Sequence, residues 1–149
     1  MKYGAIFAVL ILLSALALPA VAAPPNQYSY ITVNNVTITL EDERALVSMD
    51  YEIDSGIVFL VHLLGTSDLK KKLLLISGFE GAKFQKLDMD HASLIVSGAS
   101  QNYGEGTYWF PEHTFGIVVP ELSIISPKMA RTYNQTSVLP GMGYFGTIK

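Results

Sequence analysis

The sequence predicts an α+β protein, mostly antiparallel β and sandwich-like, with one short helix over about residues 67–77 packed on it. Three observations carry this reading. Residues 45–54 alternate apolar and polar side chains with a period of two, the pattern of a strand with one buried face. Short runs of β-branched and aromatic residues recur between clusters of Gly, Pro, Asn and Asp, the punctuation of strands and turns. One stretch, Thr66-Ser67-Asp68 followed by LKKKLLLI and then Gly78, carries an N-cap, a first-turn acid and a terminating glycine.

In chain order, residues 1–22 read as a secretory signal. Lys2 is its single positive charge, residues 5–18 are apolar except Ser14, Pro19 ends the run, and Ala20-Val21-Ala22 is an A-x-A cleavage site. The expected mature start is Ala23. The competing expectation is an uncleaved anchor, because the apolar stretch nearly reaches the ~20 residues that a spanning helix needs. Residues 23–29, with Pro24 and Pro25, form an extended leader. Residues 30–149 are then a single β-rich domain, with no repeat or second composition shift.

Within that domain, residues 30–40 are strand-forming, and the apolar parity flips across Asn34-Asn35. The flip marks either a two-residue turn or a bulge. Glu41 to Arg44 is a charged turn, and residues 45–54 place Val47, Met49 and Tyr51 on the buried face. The run IVFLVHLL, residues 57–64, predicts a strand buried on both faces, with His62 as a satisfied core histidine. The helix over 67–77 has a rival in a strand over 73–77, since Lys70, Lys71 and Lys72 oppose the dipole of a first turn. Strands follow at 82–87 and 92–96 around an Asp88-Met89-Asp90-His91 turn. A polar loop spans 98–106, and further strands are expected at 108–110, 115–119 and 122–126. From Lys128 onward, Pro140, Gly141, Gly143 and Gly146 suggest loop.

Three of these segments, FLVHLLGTSDLKKKLL, YWFPEHTFG and PELSIISP, in that order behind a signal sequence, resemble small exported proteins of methanogenic archaea. The resemblance implies an envelope location and brings no activity with it.

Composition narrows function by exclusion. The chain has 149 residues and no cysteine, so thiol chemistry, disulfide staples and a lipidated cysteine are all absent. The 127 residues after Ala22 are enough to hold a hydrophobic core without staples. Removing Lys2 with the signal leaves 9 basic against 13 acidic residues, a formal charge of −4. No basic field therefore exists for nucleic acid, and a membrane is expected as partner only if the signal is uncleaved. The three-lysine run is short for a lipid patch.

No motif names an enzyme. Ser77 and Ser97 each precede a glycine without the rest of a nucleophile elbow, and Gly104-Glu105-Gly106 lacks the lysine of a phosphate cradle. The sequence assigns no catalytic, cofactor or metal residue. An alternative reading is a secreted metal-assisted hydrolase using Asp88, Asp90 and His91 with Glu112 and His113, a carboxylate–imidazole set that suits zinc, manganese or nickel. Against it stands the turn chemistry of Asp-rich segments. Two N-x-[ST] sequons, at Asn35 and Asn134, are glycan-acceptor candidates expected in turns or loops.

The leading reading is a non-catalytic binding or scaffolding module, extracellular or in the cell envelope. Its expected contact is an aromatic face drawn from Tyr103, Tyr108, Trp109, Phe110 and Phe115, directed at a cell-surface polysaccharide or an envelope protein. Because Tyr108, Trp109 and Phe110 are consecutive on a strand, they cannot all point into one core.

Overall fold

The computed structural model describes residues 22–147. The expected signal and its cleavage site lie outside the described residues, apart from Ala22. The chain is mostly β. Strands β1 (Gln27–Tyr28), β2 (Ile31–Glu41) and β3 (Arg44–Ile53) precede helices α1 (Ser55–Leu64) and α2 (Ser67–Ser77). Then follow β4 (Lys83–Leu87), β5 (His91–Val96), β6 (Gln101–Gly104), β7 (Thr107–Phe110), β8 (His113–Ser126), β9 (Met129–Leu139) and β10 (Met142–Phe145).

Two sheets form. The larger has the order β4-β5-β3-β2-β8-β9, and the smaller is β10-β7-β6. All pairings are antiparallel except β2 with β8, which run parallel from Asn35↔Glu121 to Thr39↔Ile125. β1 folds back on the start of β2, through Gln27↔Thr32 and Tyr28↔Ile31. There it holds the edge that β8 occupies further along, and Val118 N–H donates to Pro25 O. The stretch read as a leader thus contributes a short strand.

Alternation decides which face is buried. Val36, Ile38 and Leu40 of β2, Ala45, Val47, Met49 and Tyr51 of β3, and Ala92 and Leu94 of β5 all face the core. Leu69, Leu73 and Ile76 of α2 join them, as do Phe110, Met142 and Tyr144 of the smaller sheet. The opposite face of the large sheet carries half-exposed polar residues in cross-strand rows, such as Ser93–Ser48–Thr37–Ser123–Thr132. At Asn34 the parity flip resolves as a bulge, with β2 running on unbroken.

α2 lies against β8 at backbone contact. A Cβ on Gly116 would stand 2.5 Å from Leu75 O, so only glycine lets the helix approach this closely. Its end is closed by Gly78 at φ +69°, whose N–H donates to Leu74 O, a left-handed glycine cap. The rival strand over 73–77 is not formed.

Several expectations are corrected. Two helices form among the described residues, not one, because residues 57–64 belong to helix α1 and not to a buried strand. An unbroken apolar run satisfies both periodicities, and tertiary structure settles the matter. Both edges of β3 are already taken by β2 and β5, so the chain leaving β3 has no adjacent edge to pair with. Of α1 only Val61 is buried, and His62 is exposed, its Nδ1 2.9 Å from Val58 O. The expected loop at 98–106 contains β6. The two strands at 115–119 and 122–126 are one strand, β8, since Pro120 lies on it without ending it. Residues beyond Lys128 form β9 and β10. Pro140 and Gly141 mark only the turn between them.

Candidate functional site

Two ends of the large sheet differ in chemistry. β2 begins at Ile31 beside Ile53, where β3 gives way to α1, and ends at Glu41 beside Arg44. β8, parallel to it, ends in the turn that carries Lys128. The eleven residues of β2 separate these ends by roughly 33 Å. The smaller sheet closes the Glu41 end.

Tight turns build that end. The β6–β7 hairpin turns through Glu105 and Gly106, both at positive φ (52° and 73°), as a type I′ turn requires. Asp42, the first residue of the β2–β3 turn, is also at positive φ, 52°, a conformation that Asp tolerates better than most residues. Tyr144 fastens the two sheets. Its hydroxyl donates to Asp42 O and lies 2.8 Å from Ser100 Oγ. Burial raises its pKa and that of Tyr108, with the Asp42 carboxylate adding to both, so the two phenols stay protonated at neutral pH.

Between these turns lies a cleft of about 350 Å³ lined by Asp42, Glu105, Tyr108, Lys128, Phe145 and Thr147, among others. Gly146 forms part of its floor. A Cβ there would stand 2.5 Å from both the Asp42 carboxylate and the Tyr108 ring, so a larger residue would displace these two side chains. Lys128 Nζ sits 5.5 Å over the Phe145 ring, within cation–π range. The set combines two rings, two carboxylates, two hydroxyls and an ammonium.

The outer face of the smaller sheet continues this surface. Register pairs Trp109 with Gly143 on one side and Gln101 on the other. The indole lies over Gly143 of the neighbouring strand and Gly141 of the turn before it, where added Cβ atoms would stand 3.7 Å and 2.9 Å from its six-membered ring. Trp109 is 42% exposed, Tyr103 68% and Phe145 57%, whereas Phe110 is buried. Tyr108 is half-buried and stacks on Tyr144 at 5.6 Å between centroids. Of the five aromatic residues expected on a binding face, Tyr103 and Trp109 are exposed, and Phe110 and Phe115 belong to the core. Asp42, Lys128 and Phe145 were not legible as site residues. They lie on turns and strands far apart in sequence, and only alternation in the MGYF segment hints that Phe145 faces outward.

The residues of the hydrolase reading are not gathered into one site. His113 stacks on Phe79 at 3.7 Å, its Nε2 lies 2.7 Å from Ser77 O, and burial lowers its pKa despite that bond. Its ring joins the aromatic cluster with Phe115, while Glu112 is exposed beside it. His91 lies on the other face of the large sheet, with Nδ1 2.6 Å from Asp50 Oδ1. Asp88 is paired with Lys86 at 2.6 Å, and its carbonyl accepts the Tyr51 hydroxyl. Among the described residues no group of three or more His, Cys, Asp or Glu is placed to hold a metal ion.

His91 does enter an arrangement that sequence spacing concealed. Ser48 Oγ lies 3.4 Å from its Nε2, so hydroxyl, imidazole and carboxylate follow in the order of a triad. The setting differs from a hydrolase centre in one decisive respect. Ser48 lies in a strand paired on both edges, with Thr37 and Ser93. The N–H groups of that strand are committed to the ladder, leaving none to receive an oxyanion. The cluster is a polar cross-strand network.

Both sequon asparagines lie in strands and not in loops. Asn35 of β2 and Asn134 of β9 each pair with Glu121 of β8, in one row of the open face. Asn35 is half-buried and Asn134 exposed. In comparisons with known proteins, no family model, no curated protein and no solved structure matches this chain.

Proposed function

We propose that the chain is a non-catalytic binding module of the cell envelope or extracellular space, with a sandwich-like body that presents its aromatic end to a cell-surface polysaccharide. The observation that carries the proposal is the cleft between the turns, where Tyr108 and Phe145 meet Asp42, Glu105 and Lys128, beside the exposed rings of Trp109 and Tyr103. Flat rings stack against the apolar faces of sugar rings, while carboxylates and protonated phenols exchange hydrogen bonds with sugar hydroxyls. Few polar groups placed among aromatic surface give orientation without chemistry. The signal-like leader and the likeness to small exported archaeal proteins support the location.

Titration with soluble neutral and acidic polysaccharides, followed by the emission of Trp109 (the one tryptophan), tests the proposal. A saturable change is expected, weakened at least tenfold by Phe145→Ala and by Asp42→Asn. Absence of any saturable change, or one indifferent to both substitutions, would overturn it. Export also exposes the sequons to glycosylation, and Asn134 is the better presented of the two. Mass spectrometry of the secreted protein should find a glycan at Asn134 ahead of Asn35.

A further inference from the structure

We propose that α1 is a membrane-surface contact, laying its apolar side into an anionic bilayer. The helix reads SGIVFLVHLL and carries no Asp, Glu, Lys or Arg. Phe59 is 69% exposed, Leu63 66% and Leu64 78%, with Leu60 beside them. At 100° per residue these four cover an arc of roughly 140° on one side of the helix. Val61, the buried residue of α1, points to the other side. Isolated exposed leucines need no explanation, but a contiguous apolar arc of this size marks an interaction surface.

Three observations favour lipid as the occupant. First, ten residues make a helix about 15 Å long, half the hydrocarbon thickness of a bilayer. It suits a position along the interface and not across it. Second, exposed cations stand close by in the first turns of α2. Asp68, the acid of the first turn of α2, is already engaged by Lys72 at 3.0 Å and by the Tyr30 hydroxyl at 2.7 Å. Lys70 and Lys71 are exposed, Lys70 with its Nζ 6.0 Å from the centroid of the Phe84 ring. The lysine run is too short to hold anionic lipid by charge alone, so these lysines add attraction to an apolar contact that α1 makes. Third, the chain enters the fold at the same end. Tyr30 and Leu60 line one groove with Ile57, Val61 and Leu64, and Tyr30 O accepts the Asp54 N–H at the start of α1. The apolar stretch 5–18 precedes this point in sequence. With α1 on a bilayer, the aromatic cleft faces away from it at the far end of β2.

The test is vesicle flotation with the chain beginning at Ala23, which contains every described strand and helix and the core they form. Vesicles of phosphatidylglycerol with phosphatidylcholine are compared with vesicles of phosphatidylcholine alone. The protein is expected to float with the anionic vesicles. A Phe59→Ser/Leu63→Ser variant should lose at least tenfold of the bound fraction, and Lys71→Glu should weaken binding to anionic vesicles severalfold. These residues are exposed, and circular dichroism with Trp109 emission verifies that each variant folds. The proposal is overturned if the wild-type chain stays unbound at all lipid concentrations, or if the double variant floats like wild type. It is equally overturned if sedimentation without lipid shows a dimer that the double variant dissolves, since a second copy would then cover α1.

Discussion

His113 shows how one side chain is assigned by its surroundings and not by its type. Stacked on Phe79 and donating from Nε2 to Ser77 O, it closes the junction between the end of α2 and the start of β8. Burial favours the neutral ring, so its pKa lies below the usual histidine value. The sign of the linkage follows. Above about pH 6.5 the ring is neutral in both folded and unfolded chains, and stability is full. As pH falls below that value the unfolded chain takes up the proton first, and stability declines until pH passes the lowered folded value. His113→Gln keeps a donor for Ser77 O but does not titrate. Urea midpoints at pH 7.5 and 5.0 should therefore differ less in the variant than in wild type. The slope removed should be no more than about 1.4 kcal/mol per pH unit. Val47 makes a simpler case. It is fully buried on β3, and Val47→Ala should cost about 2 kcal/mol in equilibrium unfolding through lost contacts and a residual cavity. A change near zero would invert the face assignment of β3.

At the scale of elements, the approach of α2 to β8 is set by glycine. Gly78 combines a left-handed backbone with a Cβ position blocked by Thr114 O, whereas Gly81, at φ +75°, has open space around it. Gly81→Ala should cost only conformational strain, around 1 kcal/mol. Gly78→Ala should cost clearly more, because helix and strand must also separate. Gly116→Ala tests the same contact without backbone strain, and overpacking of this kind costs roughly 1–3 kcal/mol. Equal losses for Gly78→Ala and Gly81→Ala in thermal unfolding would show that the close approach has no energetic consequence. α1 makes the opposite point. Its residues announce burial, yet it lies mostly exposed, because the slots beside β3 were filled by strands from elsewhere in the chain.

For the whole molecule, the two ends of the large sheet differ in surface chemistry: an apolar helix at one, an aromatic and charged cleft at the other. Trp109 reports on the second. Half-exposed over Gly141 and Gly143, it should emit at wavelengths nearer those of a solvated indole than a buried one, and acrylamide should quench it readily. Blue-shifted, quencher-resistant emission would place it in the core and remove the aromatic surface. The sequence by itself determined the predominance of strand, the inward face of β3, the β4–β5 hairpin around Asp88 to His91, and the span of α2. Each of these rests on local signals: alternation, a turn between two apolar runs, a cap and a terminating glycine. It also required that Tyr108, Trp109 and Phe110 divide between two faces, because strand geometry demands it. Only the tertiary structure decided that residues 57–64 coil into a helix, that residues 129–139 form a strand despite few apolar positions, and that Asp42, Lys128 and Phe145 meet. Those outcomes depend on which strand edges are vacant and which distant turns share an end of the sheet. Such facts arise from pairings between residues far apart in the chain, which local periodicity does not record.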